Sequence, residues 1–187
     1  AFVADNGSDV RDRGETLFQS AFAPQAARAV IEALRELVGT EFIGSGPGGT
    51  YMGRDISAWL AERMAFYCPA LTTVDSLEDV ADRLFTFSAD RPGGLQPGEF
   101  DALQRRLDGV AHVTSSGHQN IDIVVPGVNK AAGLALLTRR WGVEPEAVAA
   151  FGDGGNDVAM LRWSGYGIAM GNAPEAVKAE AGYLAPG

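Results

Sequence analysis

Cysteine and histidine are scarce in this chain of 187 residues, which holds one cysteine and two histidines. The single Cys68 cannot form an intramolecular disulfide, so nothing in the sequence calls for an oxidising compartment. We therefore expect a cytoplasmic protein.

Long apolar runs and positive charge are also lacking. No stretch approaches the roughly 20 apolar residues of a membrane-spanning helix, and Ala1 to Val10 do not form a charged segment followed by an apolar block. Acidic side chains number 24 against 15 basic ones, which gives a formal net charge of −9. Because such a surplus repels polyanions and anionic lipid, we expect no nucleic-acid partner and no membrane partner.

The chain does contain enough apolar sequence to bury a core. Hydrophobic residues make up 46% of the chain and charged residues 21%, proportions that are typical of globular proteins. The length allows one or two domains, and the composition excludes disordered, collagen-like and coiled-coil proteins.

In the first part of the chain, glycine and proline separate short periodic segments. The patterns predict four helices, which begin at Pro24, at Asp55 as N-cap, at Ser76 with Asp79 as a capping box, and at Pro97. They also predict three strands, at Leu84 to Ala89, Val110 to Ser115 and Ile121 to Val125. We expect an α+β region in which helices lie on an antiparallel sheet.

After Pro126 the pattern changes to strict alternation of helices and strands. The predicted elements are a helix at Asn129 to Trp141, a strand at Val148 to Phe151, a helix from about Asp157, a strand at Gly167 to Met170 and a helix from Pro174. Alternating strands and helices are typical of an α/β fold with a parallel sheet. We therefore expect two domains that join near residue 122.

The sharpest functional signal is the run Gly152-Asp153-Gly154-Gly155-Asn156-Asp157, which follows an apolar strand and precedes an amphipathic helix. Ligands of open α/β sheets bind at the carboxyl ends of strands. Two carboxylates four residues apart across a Gly-Gly turn can converge on one hard cation, which predicts a Mg²⁺ site. The alternative is an ordinary loop with an aspartate N-cap.

Lys130 is the second signal, because it and Lys178 are the only lysines among the 15 basic residues. Lys130 lies at the start of a predicted helix, where the helix dipole disfavours a cation unless an anion is also present. A bound phosphate would remove that conflict. The alternative is a solvated surface lysine.

Together these segments resemble the haloacid dehalogenase (HAD) superfamily of phosphohydrolases, and within it the Cof-type (subfamily IIB) sugar phosphatases. The similar segments are IDIVVPGVNKAAGLALL, FGDGGNDVAML, GIAMGNAPEAVKAEAGYLAP and, near the start, VADNGSDV. The resemblance implies a Rossmann-like parallel-sheet core with an inserted α+β cap domain. The core would comprise residues 1–8 and 122–187, with its N-terminal part missing, and the cap residues 9–121.

The resemblance also implies site roles. Asp153 and Asp157 would hold Mg²⁺, and Lys130 and Asn156 would hold the phosphate. Family members form an aspartyl-phosphate on the first aspartate of a DxDGT motif, and the second aspartate is the general acid and base. No DxDGT occurs in the 187 residues, so the nucleophile and the acid/base aspartate are not in this chain.

In the cap, we consider four side chains as candidates for substrate selection, because they are polar or aromatic groups in predicted loops or at element ends. They are Tyr51, Arg54, His118 and Asn120. Each has the alternative of being ordinary surface.

The resemblance thus implies a Mg²⁺-dependent phosphatase of a small phosphorylated metabolite, such as a sugar phosphate. Two alternatives stay open. One is a specialised sucrose-phosphate or mannosyl-phosphoglycerate phosphatase. The other is a noncatalytic binding or assembly fragment, and association into a homo-oligomer is also open.

Overall fold

The structure, a computed structural model, describes residues 1–68, 70–96, 98–117 and 120–186. Pro97 and His118, which the sequence singled out, lie outside these residues. In the described part of the chain, no helix is long and apolar enough to cross a membrane.

Strands and helices are numbered separately in chain order. The strands are β1 (Phe2–Ala4), β2 (Asp9–Asp12), β3 (Glu15–Gln19), β4 (Glu41–Gly46), β5 (Gly49–Gly53), β6 (Leu71–Val74), β7 (Thr86–Asp90), β8 (His112–Thr114), β9 (Ile121–Val124), β10 (Ala149–Gly152), β11 (Tyr166–Ala169) and β12 (Tyr183–Leu184). The helices are α1 (Pro24–Arg35), α2 (Ala58–Tyr67), α3 (Glu99–Arg106), α4 (Lys130–Trp141), α5 (Val158–Trp163) and α6 (Glu175–Lys178). Short 3₁₀ turns occur at Asp5–Gly7, Leu77–Val80, Pro145–Ala147 and Gly155–Asp157.

The chain divides into two compact units. The first unit comprises Ala1–Gln19, Thr114–Gly117 and Gly127–Gly187, and the second comprises Ser20–Val113 and His118–Pro126. These limits differ from the expected division at residues 8/9 and 121/122.

Strand pairing explains the difference. Residues 9–19 form β2 and β3, and β2 pairs antiparallel with β1, which keeps all three strands in the first unit. In contrast, β9 pairs antiparallel with β7, which keeps residues 121–124 in the second unit. No strand was predicted for residues 1–19.

The second unit is built on a six-stranded sheet with the strand order β6-β5-β4-β7-β9-β8. The pairs β4–β5, β4–β7 and β7–β9 are antiparallel, as expected, but β5 and β6 are parallel. The sheet is therefore mixed rather than antiparallel. The reason is the connection, because α2 carries the chain from β5 to β6 and a helical crossover lets two strands run in the same direction.

Helix α1 supplies one side of the core of the second unit. It begins at Pro24, as predicted, and its fully buried side chains Val30, Ile31 and Leu34 recur at helical spacing. They belong to the same buried cluster as Leu84 and Phe87.

Two of the predicted helices differ from those in the structure. The N-cap of α2 is Ser57 rather than Asp55, because Ser57 has an extended backbone and its side chain accepts a hydrogen bond from the Leu60 amide at 3.4 Å. The capping box of Ser76 and Asp79 is confirmed, although the helix it begins is only a 3₁₀ turn.

The first unit contains the predicted alternation of strands and helices. β10, β11 and β12 form a parallel sheet in that order, and α5 and α6 lie between these strands along the chain. A separate antiparallel sheet consists of β1, β2 and β3. Helix α4 contacts β1, β2 and α5, so it packs on both parts of the first unit.

Candidate active site

The acidic loop follows β10 at its carboxyl end, where the sequence predicted a ligand site. The loop runs from Gly152 to Asp157 and leads directly into α5. A 3₁₀ turn at Gly155–Asp157 folds the loop back on itself, so that the Asp157 carboxylate accepts a hydrogen bond from the Asp153 amide. The carboxyl end of this parallel strand therefore carries the polar groups, as is typical of α/β proteins.

Asp157 organises this loop from a buried position, with 5% of its surface exposed. Its Oδ2 accepts hydrogen bonds from the backbone amides of Asp153 at 2.9 Å and Gly154 at 3.0 Å. Its Oδ1 accepts a hydrogen bond from the ammonium of Lys130, with an Nζ–Oδ1 distance of 2.5 Å. Both carboxylate oxygens are thus engaged by donors of the protein itself.

Lys130 is the first residue of α4. The helix is capped by Asn129, whose Oδ1 accepts a hydrogen bond from the Ala132 amide at 2.9 Å. The helix dipole disfavours a cation at this position unless an anion lies beside it, and the carboxylate of Asp157 supplies that anion. The Lys130 side chain keeps 31% of its surface exposed, so the ammonium can also approach a second anion.

Asn156 is held by two segments that are distant in sequence. Its backbone amide donates to the Ser115 carbonyl at 2.9 Å. Its side-chain Nδ2 donates to Oδ1 of Asn6 at 2.8 Å. Asn6 and Ser115 both belong to the first unit. The sequence analysis assigned a site role to neither, although Asn6 lies in the segment VADNGSDV.

Asp153 is partly exposed, and its Oδ2 accepts a hydrogen bond from Nδ2 of Asn172 at 2.9 Å. Asn172 follows β11, so the loop after the neighbouring strand also reaches the site. Among the described residues, there is no group of three or more His, Cys, Asp or Glu side chains that could hold a metal ion.

The donor set fits Mg²⁺ through one carboxylate. Mg²⁺ keeps several waters and is often bound by one or two carboxylates together with phosphate oxygens. Asp153 can provide such a ligand from its partly exposed position. Asp157 is less suited to direct ligation, because Lys130 and two backbone amides already occupy its two oxygens.

Asp5 is an acidic neighbour that sequence reasoning missed. It lies one residue before Asn6, and burial, followed by the Asp9 carboxylate, raises the pKa of Asp5. Asp5 and Asn6 both have positive φ angles, 48° and 55°. The signal that could have revealed them is the segment Asp5-Asn6-Gly7, because Asn, Asp and Gly favour the left-handed region.

The four cap candidates lie in the second unit or outside the described residues. Tyr51 is buried in the hydrophobic cluster of that unit, so packing in the core accounts for an aromatic residue at this position. Arg54 is exposed and pairs with Asp75 at 2.5 Å. Asn120 is half-buried and has a polar partner, and His118 lies outside the described residues.

The structure thus brings Lys130, Asp153, Asn156 and Asp157 together at the end of a parallel sheet, as the motifs suggested. This arrangement places a lysine and an acidic loop at the carboxyl end of a parallel strand, where α/β proteins bind their ligands. The sequence profile of the haloacid dehalogenase-like hydrolases matches residues 1–186. The chain belongs to this family, and within it to the Cof-type, subfamily IIB, proteins.

Individual relatives agree with this assignment. The chain is 34% identical, over 185 residues, to the 5-amino-6-(5-phospho-D-ribitylamino)uracil phosphatase YbjI of Escherichia coli strain K12, and the match covers 99% of this chain and 68% of the relative. It is 27% identical to the HMP-PP phosphatase of Cronobacter sakazakii, with 97% of this chain and 66% of the relative covered.

Solved structures show the same fold. The chain matches the crystal structure of SMU.1108c from Streptococcus mutans UA159 with a TM-score of 0.84 and 27% identity, over 96% of this chain and 68% of that one. It matches the subclass IIB sugar phosphatase BT4131 with a TM-score of 0.80 and 22% identity, over 96% of this chain and 67% of that one. The chain therefore spans about two thirds of the length of these relatives.

Proposed function

We propose that this chain is part of a Mg²⁺-dependent phosphatase that hydrolyses a small phosphorylated metabolite, of which a sugar phosphate is the leading class. The observation that carries the proposal is the Lys130–Asp157 pair over the loop after β10. The named functions of the relatives support it, because those of Escherichia coli and Cronobacter sakazakii are phosphatases.

In this proposal, Lys130 and Asn156 bind the phosphate oxygens. Lys130 contributes an ammonium and Asn156 a side-chain amide, and both are held in place by other residues of the first unit. Asp153 is the metal ligand, and bound Mg²⁺ would neutralise negative charge on the phosphate. Asp157 completes the acidic site by orienting Lys130 and the loop amides.

Phosphoryl transfer depends mainly on positioning and charge neutralisation, which these side chains can supply. It also needs a nucleophile. The proposed route passes through an aspartyl-phosphate, and no DxDGT motif that would provide the nucleophile occurs in the 187 residues. We therefore propose that the nucleophile and the acid/base aspartate are supplied from outside these residues, and that the second unit acts as the cap.

A noncatalytic binding or assembly role is the second candidate. It is favoured by the absence of the DxDGT motif and by aromatic side chains that are exposed on the parallel sheet, among them Phe151 and Tyr166. A chain of this kind would bind phosphate or a partner without turning over a substrate. The same experiment separates the two candidates.

The test is hydrolysis of p-nitrophenyl phosphate, with and without Mg²⁺, by the 187-residue chain and by a version extended upstream to its natural start. We expect Mg²⁺-dependent hydrolysis by the extended protein only, and loss of that hydrolysis in its Lys130→Ala variant. No hydrolysis by either protein would favour the noncatalytic role. Metal-dependent hydrolysis by the short chain would contradict the proposed origin of the nucleophile.

A further inference from the structure

The turn at Asp5–Gly7 has an unusual backbone. Three successive residues have positive φ angles, of 48°, 55° and 105°. Glycine adopts such angles freely, and asparagine and aspartate tolerate them better than other residues do. Non-glycine residues held in this region persist where the surrounding structure fixes them.

Helix α4 is what fixes this turn. A Cβ atom added at Gly7 would lie 2.2 Å from the carbonyl oxygen of Asn129. The turn is therefore in close contact with Asn129, which caps α4 and immediately precedes Lys130. This contact places Asn6 beside the start of the helix that carries the phosphate-binding lysine of the proposed function.

From this position, Asn6 reaches the acidic loop. Its Oδ1 accepts the hydrogen bond from Nδ2 of Asn156 at 2.8 Å. On the other side, Oδ1 of Asn156 lies so close to Gly154 that a Cβ there would be 2.7 Å away. The amide nitrogen of Asn156 therefore faces Asn6, to which it donates, and the amide oxygen faces Gly154.

The amide nitrogen of Asn156 carries two hydrogens. One of them donates to Asn6, and the second can donate to an anion. If Asn6 were absent, the amide would be free to rotate about its terminal side-chain bond, which has a broad torsional preference. Its donor would then be aimed at the anion for only part of the time.

We propose that Asn6 is a positioning residue of the phosphate site, which orients Asn156 so that its second Nδ2 hydrogen donates to a phosphate oxygen. This inference rests on the proposed function, because it presumes that Asn156 binds phosphate. Asn6 itself acts through Asn156 and need not touch the phosphate.

The test is a double-mutant cycle with Asn6→Gly and Asn156→Ala. Calorimetry measures the affinity of the 187-residue chain and its variants for inorganic phosphate in the presence of Mg²⁺. Asn6→Gly removes the side chain and keeps the left-handed backbone. We expect it to weaken phosphate binding about three- to tenfold, the effect of one hydrogen bond. We expect Asn156→Ala to weaken binding at least as much, and Asn6→Gly to add nothing in the Asn156→Ala background.

Arg13→Gly is the matched control, because Arg13 is exposed and also has a positive φ angle, of 50°. It should leave the affinity for phosphate unchanged. An unchanged affinity in Asn6→Gly, or equal losses from Asn6→Gly in the parent and in the Asn156→Ala background, would overturn the inference.

A second measurement does not depend on phosphate binding. The side-chain amide of Asn156 should give distinct NMR signals with slowed hydrogen exchange in the parent and in Asn6→Asp, which keeps an acceptor oxygen. In Asn6→Gly, the exchange should become faster. Equal exchange in all three proteins would overturn the positioning role. If the parent does not bind phosphate but the exchange pattern is as expected, the result would count against the proposed function alone.

Discussion

At the residue scale, the candidate site depends on how each carboxylate is satisfied. Asp157 is buried, and its two oxygens accept hydrogen bonds from Lys130 and from the amides of Asp153 and Gly154. Asp153 is partly exposed and accepts a hydrogen bond from Asn172. The two aspartates share one motif, but their surroundings suit them to different roles.

The first prediction concerns Asp153. If its carboxylate ligates Mg²⁺, Asp153→Asn should abolish the rise in melting temperature that Mg²⁺ gives to the parent. The stabilisation by a bound ligand is about 2.7 kcal/mol at a free concentration about 100 times Kd, so the shift is measurable by thermal denaturation. Glu144→Gln, at an exposed site, removes the same charge and should keep the shift. An equal shift in Asp153→Asn and the parent would exclude Asp153 as the ligand.

The second prediction concerns Asp5, whose pKa is raised by burial and then by Asp9. Because the pKa of Asp5 is higher in the folded protein than in the unfolded chain, ionised Asp5 destabilises the fold at pH values above the folded-state pKa. This cost disappears as the pH falls below the pKa of Asp5 in the unfolded chain. Asp5→Asn should therefore increase the free energy of unfolding at pH 7, and the gain should vanish at acidic pH.

Urea denaturation across this pH range measures the effect. Asp101→Asn, at an exposed helical position, is the control and should show no comparable pH-dependent gain. A gain in Asp5→Asn that is equally large at acidic and neutral pH would show that the burial of an ionised Asp5 is not its cause.

At the element scale, the position of the 3₁₀ turn at Asp5–Gly7 against α4 connects two parts of the chain that are far apart in sequence. The turn follows β1, and the helix begins more than a hundred residues later. The turn can approach the helix start closely because Gly7 has no side chain, and a Cβ there would overlap the Asn129 carbonyl. The turn thus lies against Asn129, the residue that caps α4 and precedes Lys130.

The third prediction compares two glycines with positive φ angles, Gly7 at 105° and Gly14 at 86°. Gly14 has nothing within 4 Å of an added Cβ, so Gly14→Ala should cost only the backbone strain, about 1–2 kcal/mol. Gly7→Ala adds an overlap with backbone atoms and should cost about 1–3 kcal/mol more. The free energies of unfolding in urea give both values, and equal losses would contradict the close contact between the turn and α4.

At the scale of the whole molecule, the parallel sheet of the first unit has one apolar face that the described residues leave exposed. Phe151, Tyr166 and Tyr183 are 61%, 51% and 52% exposed. The register pairs Phe151 with Ile168 and Ile168 with Tyr183, so these side chains lie on one face of the sheet. A contiguous exposed apolar patch of this kind is typical of an interaction surface or of an aggregation-prone one.

The fourth prediction is that the 187-residue chain associates through this face. Sedimentation velocity over a range of protein concentrations should show association, and a Phe151→Ser, Tyr166→Ser variant should reduce it. Val38→Ser is the control, because Val38 lies in the second unit and is highly exposed without belonging to the sheet. Association that is unchanged in the double variant would exclude this face as the cause.

Much of the fold could be predicted from local patterns. The alternation after Pro126, the helix at Pro24 and the strand at residues 121–124 are confirmed because each depends on periodicity and end signals within a few residues. The strands β1 to β6 were not predicted, since they are short and several contain glycine or polar residues. Their existence depends on partners elsewhere in the chain.

By itself, the sequence determined the family and the α/β alternation, and it predicted Lys130, Asp153, Asn156 and Asp157 as candidate site residues, because these features depend on contiguous motifs. Only the tertiary structure decided which groups those residues meet: Lys130 with Asp157, Asn6 with Asn156 and Tyr51 with the hydrophobic cluster. It also decided where the two units divide. Such pairings join residues far apart along the chain, and their energy arises only when folding brings the groups together and removes them from water.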